Sequence, residues 1–450
     1  MAWYTGTTSG DHYLDLLDRL EKIMTSNSIT TIASIVAGGS SYVVGDELTV
    51  SGGTFSPSAA KIRVTGVSGG AVTTAVISEG GAYTVDPTGT LSTTGGTGTG
   101  CTITATFTSN GWTNNMDNTP SGEREIWFEG TGAGSDEIHV GIKTFNALSQ
   151  GGIDQAYNWG ICAATGHNGG LDWWEQPGIS PGFDSIGDPD TDGGAFVPLK
   201  TTDASYPIDY WISVTPRRIK GAMKMENGSI IHYSSFYAGF MNQFGTSTEY
   251  PYPIYTGGSS YRYNTFFEDT APRYTGISEA MGSNSLVGPG FYRTFDDLWI
   301  SVKNSSANDG GSPSRVAAEN YTMYPSSKTS SAAIDSNYDR IVSDASGFNW
   351  NDIIPSSGIP GTPTYRLEPT PNTGDDLYSL IPCTIVASKT DGGRNDLDVL
   401  GELDGVFWIS GGGTPAPTSE DYVDIGDVRY RIFQNGNRSE TFSLMAMEEN

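Results

Sequence analysis

Long apolar runs are missing from this chain, and no stretch approaches the ~18 consecutive apolar residues that a membrane span needs. The opening MAWYTGTTSGDHYLD has neither a basic start nor an apolar run, so no signal peptide is expected. The expectation is a soluble protein made in a cytoplasm, with no membrane partner. Cysteine is scarce as well. Cys101, Cys162 and Cys383 are odd in number, far apart and without CxxC spacing, which excludes a disulfide framework and predicts buried free thiols. Basic residues are few: 24 Lys and Arg stand against 51 Asp and Glu, a formal net charge of −27. Such a surface repels phosphate backbones, so nucleic acid is not an expected partner.

What the chain has is glycine (59), proline (23), Ser, Thr and Asn in quantity, and 11% aromatic residues. That mixture describes many short strands joined by tight turns and fastened by aromatic packing, and it is not a disordered composition. At 450 residues the chain exceeds the usual size of one core. The expected fold class is all-β: a multi-domain, β-sandwich-type body with one short N-terminal helix and an inserted small β-sandwich. The helix is carried by Tyr13, Leu16, Leu17, Leu20, Ile23 and Met24, with Ser9 or Asp11 as its cap. Too short to be stable alone, it reads as a clamp on the body or on a neighbouring subunit.

The stretch from Asp209 to Gly258 organises the rest. Ile219, Met223 and Met225 alternate before Asn227-Gly228, and Ile231, Tyr233, Ser235 and Tyr237 alternate after it. Alternation on both sides of Asn-Gly predicts a hairpin, because both residues tolerate the positive φ of a tight turn. Pro251 and Pro253 are expected to end the second strand.

Between Thr30 and Ser109 the text turns to Ser, Thr, Gly and Val and repeats itself. Gly38 aligns with Gly80, Tyr42 with Tyr83, and Gly53 with Gly96. Two such units facing each other would make a small sandwich. The domain division expected is 1–29, a helical segment of the main body; 30–109, the inserted repeat; and 110–450, the main body, with candidate breaks near 200 and 300. In the body, Glu125–Phe128 and Glu137–Ile142 read as strands around a Gly130–Ser135 turn. Cys162 to Asp192 reads as loop, and the C-terminal region as a β-meander.

Chemistry-bearing motifs are weak. Gly178-Ile179-Ser180-Pro181-Gly182 matches a nucleophile elbow in letters, but Pro181 has no N–H to offer an oxyanion, so a turn is the better reading. Asp188, Asp190 and Asp192 open like a calcium loop, yet the twelfth position is Leu199 where a bidentate carboxylate belongs. Three close carboxylates leave a calcium site of another kind open, the sole cofactor considered. His12, His139, His167 and His232 are isolated, and Cys162 with His167 forms a thiolate pair on paper only. The aromatic set Trp173, Trp174, Tyr233, Phe236, Tyr237, Tyr250, Tyr252, Tyr255, Tyr261 and Tyr263 reads as core and subunit interface, with a sugar-stacking platform as the alternative.

The hairpin YWISVTPRRIKGAMKMENGSIIHYSSFYAGFMNQFGTSTEYPYPIYTGGS and the tail GELDGVFWISGGG with IGDVRYRIFQNGNR resemble segments of structural proteins of tailed-bacteriophage virions. So do the opening helix and GEREIWFEGTGAGSDEIHVGIKTF, and together these cover most of the body. Proteins of that kind pass almost directly from the helix to a segment like Gly111-Trp112-Thr113, and the Thr30–Ser109 stretch is similar to Ig-like decoration modules of phage exteriors. The resemblance implies a collar or neck protein at the head–tail junction, on the virion exterior. Its partners would be copies of itself and other neck or tail proteins, and it would have no catalytic residues. A tail or baseplate receptor-binding protein recognising host glycans is the alternative, and a polysaccharide-degrading enzyme a third.

Overall fold

In a computed structural model, the described residues are 2–10, 12–119, 123–133, 136–147, 156–173, 175–180, 195–199, 207–227, 230–245, 253–258, 273–275, 277, 290–293, 299–303, 322–326, 380–391, 394–409, 417–434 and 444–449. The chain is mostly β. Among these residues there is one α-helix and three sheets, of fifteen, eight and five strands.

The chain opens with strand β1 (Ala2–Thr7) and helix α1 (His12–Met24). Asp15 in the first helical turn accepts a 2.7 Å hydrogen bond from the Ser9 N–H, a cap that also suits the helix dipole. Leu16, Leu17, Leu20, Ile23 and Met24 are all buried in the body's core, so the helix clamps its own chain. Arg124 fastens the polar side, donating to Asp18, Glu21 and Asp117.

Strands β2 (Asn27–Ser40), β3 (Glu47–Val50), β4 (Thr54–Phe55), β5 (Lys61–Ser68), β6 (Ala71–Glu79), β7 (Tyr83–Val85), β8 (Leu91–Thr94) and β9 (Thr99–Ser109) form the eight-stranded sheet, in the order β4-β7-β2-β9-β8-β3-β5-β6. Its first and last long strands pair at the base, Asn27 opposite Ser109, so entry and exit are adjacent. The sheet rolls until β6 crosses β2, where a Cβ on Gly38 would lie 2.6 Å from the Val72 carbonyl oxygen.

The two repeats do not face each other as separate sheets. The last strand of each copy pairs with the first strand of the other, β5 with β6 and β9 with β2. Exchanging β2 with β6, β9 with β5 and β8 with β3 maps six of the eight strands onto one another, a pseudo-twofold between β8 and β3 that leaves β4 and β7 without counterparts. Turn geometry obeys the same operation. Gly39 and Gly81 both have φ +66°, Gly52 and Gly95 have +102° and +101°, and Gly53 and Gly96 have +69° and +70°. The repeated tyrosines cross over too: Cys101 N–H donates to the Tyr42 hydroxyl at 3.3 Å and Ala60 N–H to that of Tyr83 at 2.9 Å. One shared core results, with Ile29, Leu48, Val50, Ile62, Val64 and Ile103 among its buried members.

Strands β10 (Trp112–Asn118), β11 (Glu125–Ala133), β12 (Asp136–Ala147), β13 (Ala156–Ala164) and β14 (Ala195–Leu199) make the five-stranded meander. β11 and β12 pair out to Ala133 opposite Asp136, so the strands run through most of the expected Gly130–Ser135 turn. Cys162, expected at the start of a loop, lies within β13.

The large sheet begins with β15 (Ile208–Thr215), β16 (Arg218–Asn227) and β17 (Ile230–Phe240), flanked by β1. It continues through β18 (Asn242–Gln243), β19 (Ile254–Gly257), β20 (Arg273–Thr275), β21 (Gly290–Arg293), β22 (Trp299–Lys303) and β23 (Thr322–Ser326). It ends with β24 (Leu380–Asp391), β25 (Arg394–Ile409), β26 (Tyr422–Ile425), β27 (Val428–Gln434) and β28 (Leu444–Glu448). The expected hairpin is present, but Asn227 pairs with Ile230, so the two connecting residues are Gly228 and Ser229 instead of Asn227-Gly228. β17 ends at Phe240, well before Pro251 and Pro253, where the chain leaves for β18. The C-terminal strands are not a simple meander: β28 inserts between β25 and β27.

This first part of the large sheet is apolar on both faces. Ile208, Tyr210, Ile212, Ile219, Met223, Met225, Phe236 and Phe240 point into a core shared with α1 and the five-stranded sheet. Trp3, Trp211, Ala222, Tyr233, Tyr237 and Tyr255 point into a second core with Cys383, Leu403, Val406, Phe433, Met445 and Met447 from the C-terminal strands. The hairpin is therefore a wall between two cores. Truncating a wall residue such as Phe236 to Ala removes one core's packing at a cost of about 3–5 kcal/mol. Gly239 is required where β17 crosses β16: its φ is +143° and an added Cβ would lie 2.4 Å from the Arg218 Cα.

Candidate functional site

The second face of β16 carries positive charge among its apolar residues. Arg218, Lys220 and Lys224 share that face with Ala222, by the period of two along a strand. Arg218 and Lys220 are fully buried, and each cation meets the C-terminal layer. Arg218 Nε donates to Asp404 Oδ2 at 2.9 Å and another guanidinium N–H to Ser213 Oγ at 2.8 Å. Lys220 Nζ donates to the carbonyls of Asp404 and Gly405. Lys224 pairs with Glu420 at 2.9 Å, and the Tyr233 hydroxyl donates to the same carboxylate at 2.6 Å. Asn242 and the Tyr237 hydroxyl close the cluster, the first donating to Asp404 Oδ1 and the second accepting from the Asp404 N–H.

Charge states follow from this packing. Burial alone would raise the Asp404 carboxyl, but Arg218 and Lys220 hold it below the usual carboxylate range. Burial, then Arg218, pushes Lys220 well below an ordinary lysine, while Asp404 and Glu448 oppose them. Burial raises Glu448, against the pull of Lys220. Burial thus favours the neutral form of both Lys220 and Glu448 beside Asp404. The cluster can hold two layers together by charge-assisted bonds.

A second cluster lies on the outer face of the five-stranded sheet. Trp127, Cys162, Ala164 and Trp173 pack there with Met116 and Ile179 against them. Gly141 makes room, since a Cβ would sit 2.7 Å from the Trp127 ring and 2.8 Å from Cys162 Sγ. The stretch from 165 to 180 folds over as a cap pinned by Gln176. Its amide nitrogen donates to the carbonyls of Asn168, Leu171 and Asp172 at 3.1, 3.2 and 3.1 Å, and its oxygen accepts from the Asn168 N–H at 2.7 Å. His167 lies over Trp127 with ring centres 5.3 Å apart. Trp127 Nε1, His139 Nδ1 and His167 Nε2 are buried with no hydrogen-bond partner among the described residues. Burial lowers His139, against the carboxylates of Glu129 and Glu137, and burial followed by His139 lowers His167, so both rings are held toward the neutral form.

The residues singled out from sequence fall as follows. Trp173, Tyr233, Phe236, Tyr237 and Tyr255 are buried and divided among three cores. These five form no exposed sugar-stacking face, because each ring fills the interior between layers. Trp174, Tyr250, Tyr252, Tyr261 and Tyr263 lie outside the described residues, as do Asp188, Asp190 and Asp192. Among the described residues, no three His, Cys, Asp or Glu side chains converge to hold a metal ion. Ser180 is buried, its hydroxyl accepting from the Ala163 N–H at 3.1 Å while its own N–H donates to the Ala163 carbonyl at 2.7 Å. Cys162 and His167 do meet in one cluster, yet burial pushes the Cys162 thiol well up and its Sγ donates to the Gly141 carbonyl at 3.7 Å. That is a structural thiol, not a thiolate nucleophile. Sequence reasoning missed Arg218, Lys220 and Asp404. Their signal was the Arg218–Lys220–Lys224 alternation inside a strand pattern already apolar on the other face.

No protein-family model matches the chain, and no curated protein shows significant similarity to it. Among the described residues no helix is long and apolar enough to cross a membrane.

Proposed function

We propose that this chain is a structural component of a bacteriophage virion, a collar or neck protein that assembles as a homo-oligomer at the head–tail junction. One observation carries the reading: the hairpin, one of the segments that resemble virion proteins, is also the wall on which both body cores are built. Side chains elsewhere used for chemistry serve packing here. Arg218, Lys220 and Asp404 join layers, Ser180 fastens a cap, and Cys162 is a buried thiol. Such a body works by contact, holding a fixed shape against copies and neighbours.

The experiment is localisation. Particles from cells expressing a tagged copy are purified, the chain is detected by mass spectrometry, and the tag is placed by immunogold labelling. Label at the head–tail junction supports the proposal, and label at tail tips points instead to receptor binding. A chain absent from purified particles refutes the virion role.

A further inference from the structure

The insert differs from the body in charge. Residues 27–109 contain Asp46, Glu47, Glu79 and Asp86 against Lys61 and Arg63, a net of −2 out of the chain's −27. Most of those charges are occupied locally. Lys61 pairs with Glu79 at 2.7 Å and Arg63 with Asp424 of the body at 3.0 Å. Asp46 accepts from Val43 and Thr97, and Asp86 accepts from Asn27. Two bodies of this acidity repel each other, and the insert is the surface on which a second copy is least opposed.

The insert also exposes apolar side chains. Val43 (52%), Val44 (60%), Phe55 (44%) and Val85 (59%) are exposed at its ends and Val36 (52%) along β2, while the body exposes Phe244, Tyr422 and Ile425 to a similar degree. The four end residues form two groups, in which Val44 and Val85 are related by the pseudo-twofold. Val44 follows Tyr42 as Val85 follows Tyr83, which accounts for the nearly equal exposure. Val43 and Val44 lie at the distal end, where Tyr42 meets Cys101. Val85 and Phe55 lie at the proximal end, where Tyr83 pairs with Asn27 at the base. The ends differ at two positions, and at the first Val43 corresponds to Thr84. The Phe55 ring packs edge-on to Tyr83 at 5.8 Å, whereas the equivalent position beside Tyr42 is Gly98, whose Cβ would clash with the Tyr42 ring at 2.5 Å. One end carries an aromatic ring and the other does not.

We infer that copies of this chain bind one another head to tail through the insert, the distal Val43–Val44 end of one module seating on the proximal Phe55–Val85 end of the next. The inference rests on the self-assembling role proposed above. Two unlike apolar ends make a heterologous contact, which closes into a ring when the rotation permits. Since bodies repel while the contact is apolar, added salt strengthens the association, opposite to an interface built on ion pairs.

The test uses the full chain and mass photometry across protein and salt concentration. The variants are Val43→Asp with Val44→Asp, and Phe55→Asp with Val85→Asp, and continued protection of the Cys101 thiol reports that each module stays folded. Wild type is expected to form oligomers that grow with salt. Each double variant alone is expected to be monomeric, with at least a tenfold weaker association. Mixed in equal amounts, the two variants retain one good pair of ends and give dimers and nothing larger. If wild type assembles and the variants assemble equally well, this contact is wrong while the assembly reading stands. A wild type that stays monomeric at every salt concentration refutes the assembly reading and this contact with it.

Discussion

The insert and the body solve the same problem, burying strands with few long apolar segments, in opposite ways. The insert duplicates a short unit and interleaves the copies, relying on glycine turns of matched positive φ and carrying almost no charge. The body uses no repeat; it places one sheet between two cores and joins the layers with buried Arg and Lys. A duplicated unit is held by backbone geometry, which is local, whereas a three-layer body is held by side chains far apart in sequence. The two regions should therefore fail under different insults.

The largest expected effect is on the body. Asp404→Ala leaves Arg218 and Lys220 buried without their carboxylate, a loss of about 3–5 kcal/mol. Chemical denaturation should show it in the body transition, with Cys101 protection in the insert unchanged. The reverse holds for Gly39→Ala and Gly81→Ala. Each forces a side chain into φ +66° and against neighbouring backbone, costing about 1–3 kcal/mol of insert stability. If the pseudo-twofold is real, the two losses match, and unequal losses would break the equivalence.

Acid should open the cap before it opens the layers. His139 and His167 are depressed by burial, so the folded state holds them neutral where the unfolded chain takes up protons. Their contribution is complete above about pH 6.5 and is lost as pH falls through the lowered folded values. Asp404 is a depressed carboxylate, so its contribution is complete above about pH 4 and is lost only below that. On acidification the cap over Cys162 should open locally, with β11–β13 still paired, so that Cys162 becomes reactive toward dithiodipyridine before Cys383 in the second core. Simultaneous exposure would contradict this order. The smallest effect belongs to Arg63→Ala, which removes a partly exposed insert–body ion pair worth up to about 1 kcal/mol. It should loosen docking, seen as faster hydrogen exchange at Asp424–Val428, without changing either region's midpoint.

Legibility from sequence follows the same divide. Helix α1, the hairpin and the repeat were readable because each is a periodicity within some tens of residues. The interleaving was not, since a repeat shows which residues correspond but not in which copy's sheet the last strand lies. The hairpin register differed because the pairing of Asn227 with Ile230 is set by alternation on two buried faces, and Asn-Gly is only a local preference. Arg218, Lys220 and Lys224 drew no reading from sequence, because the partners that bury them lie up to nearly two hundred positions away. For the same reason Tyr237 and Tyr255 read equally well as core, interface or platform until the C-terminal strands covered them.

The central claim is that β15–β17 is one wall shared by two cores, so the layers on either side of it cannot unfold independently. Native-state hydrogen exchange under increasing denaturant tests it most directly. The account predicts that amides of β11–β13, β16–β17 and β25–β28 open together with one free energy, while β2–β9 open as a separate unit. Opening of β25–β28 at lower denaturant, with β16–β17 and β11–β13 still protected, would contradict it.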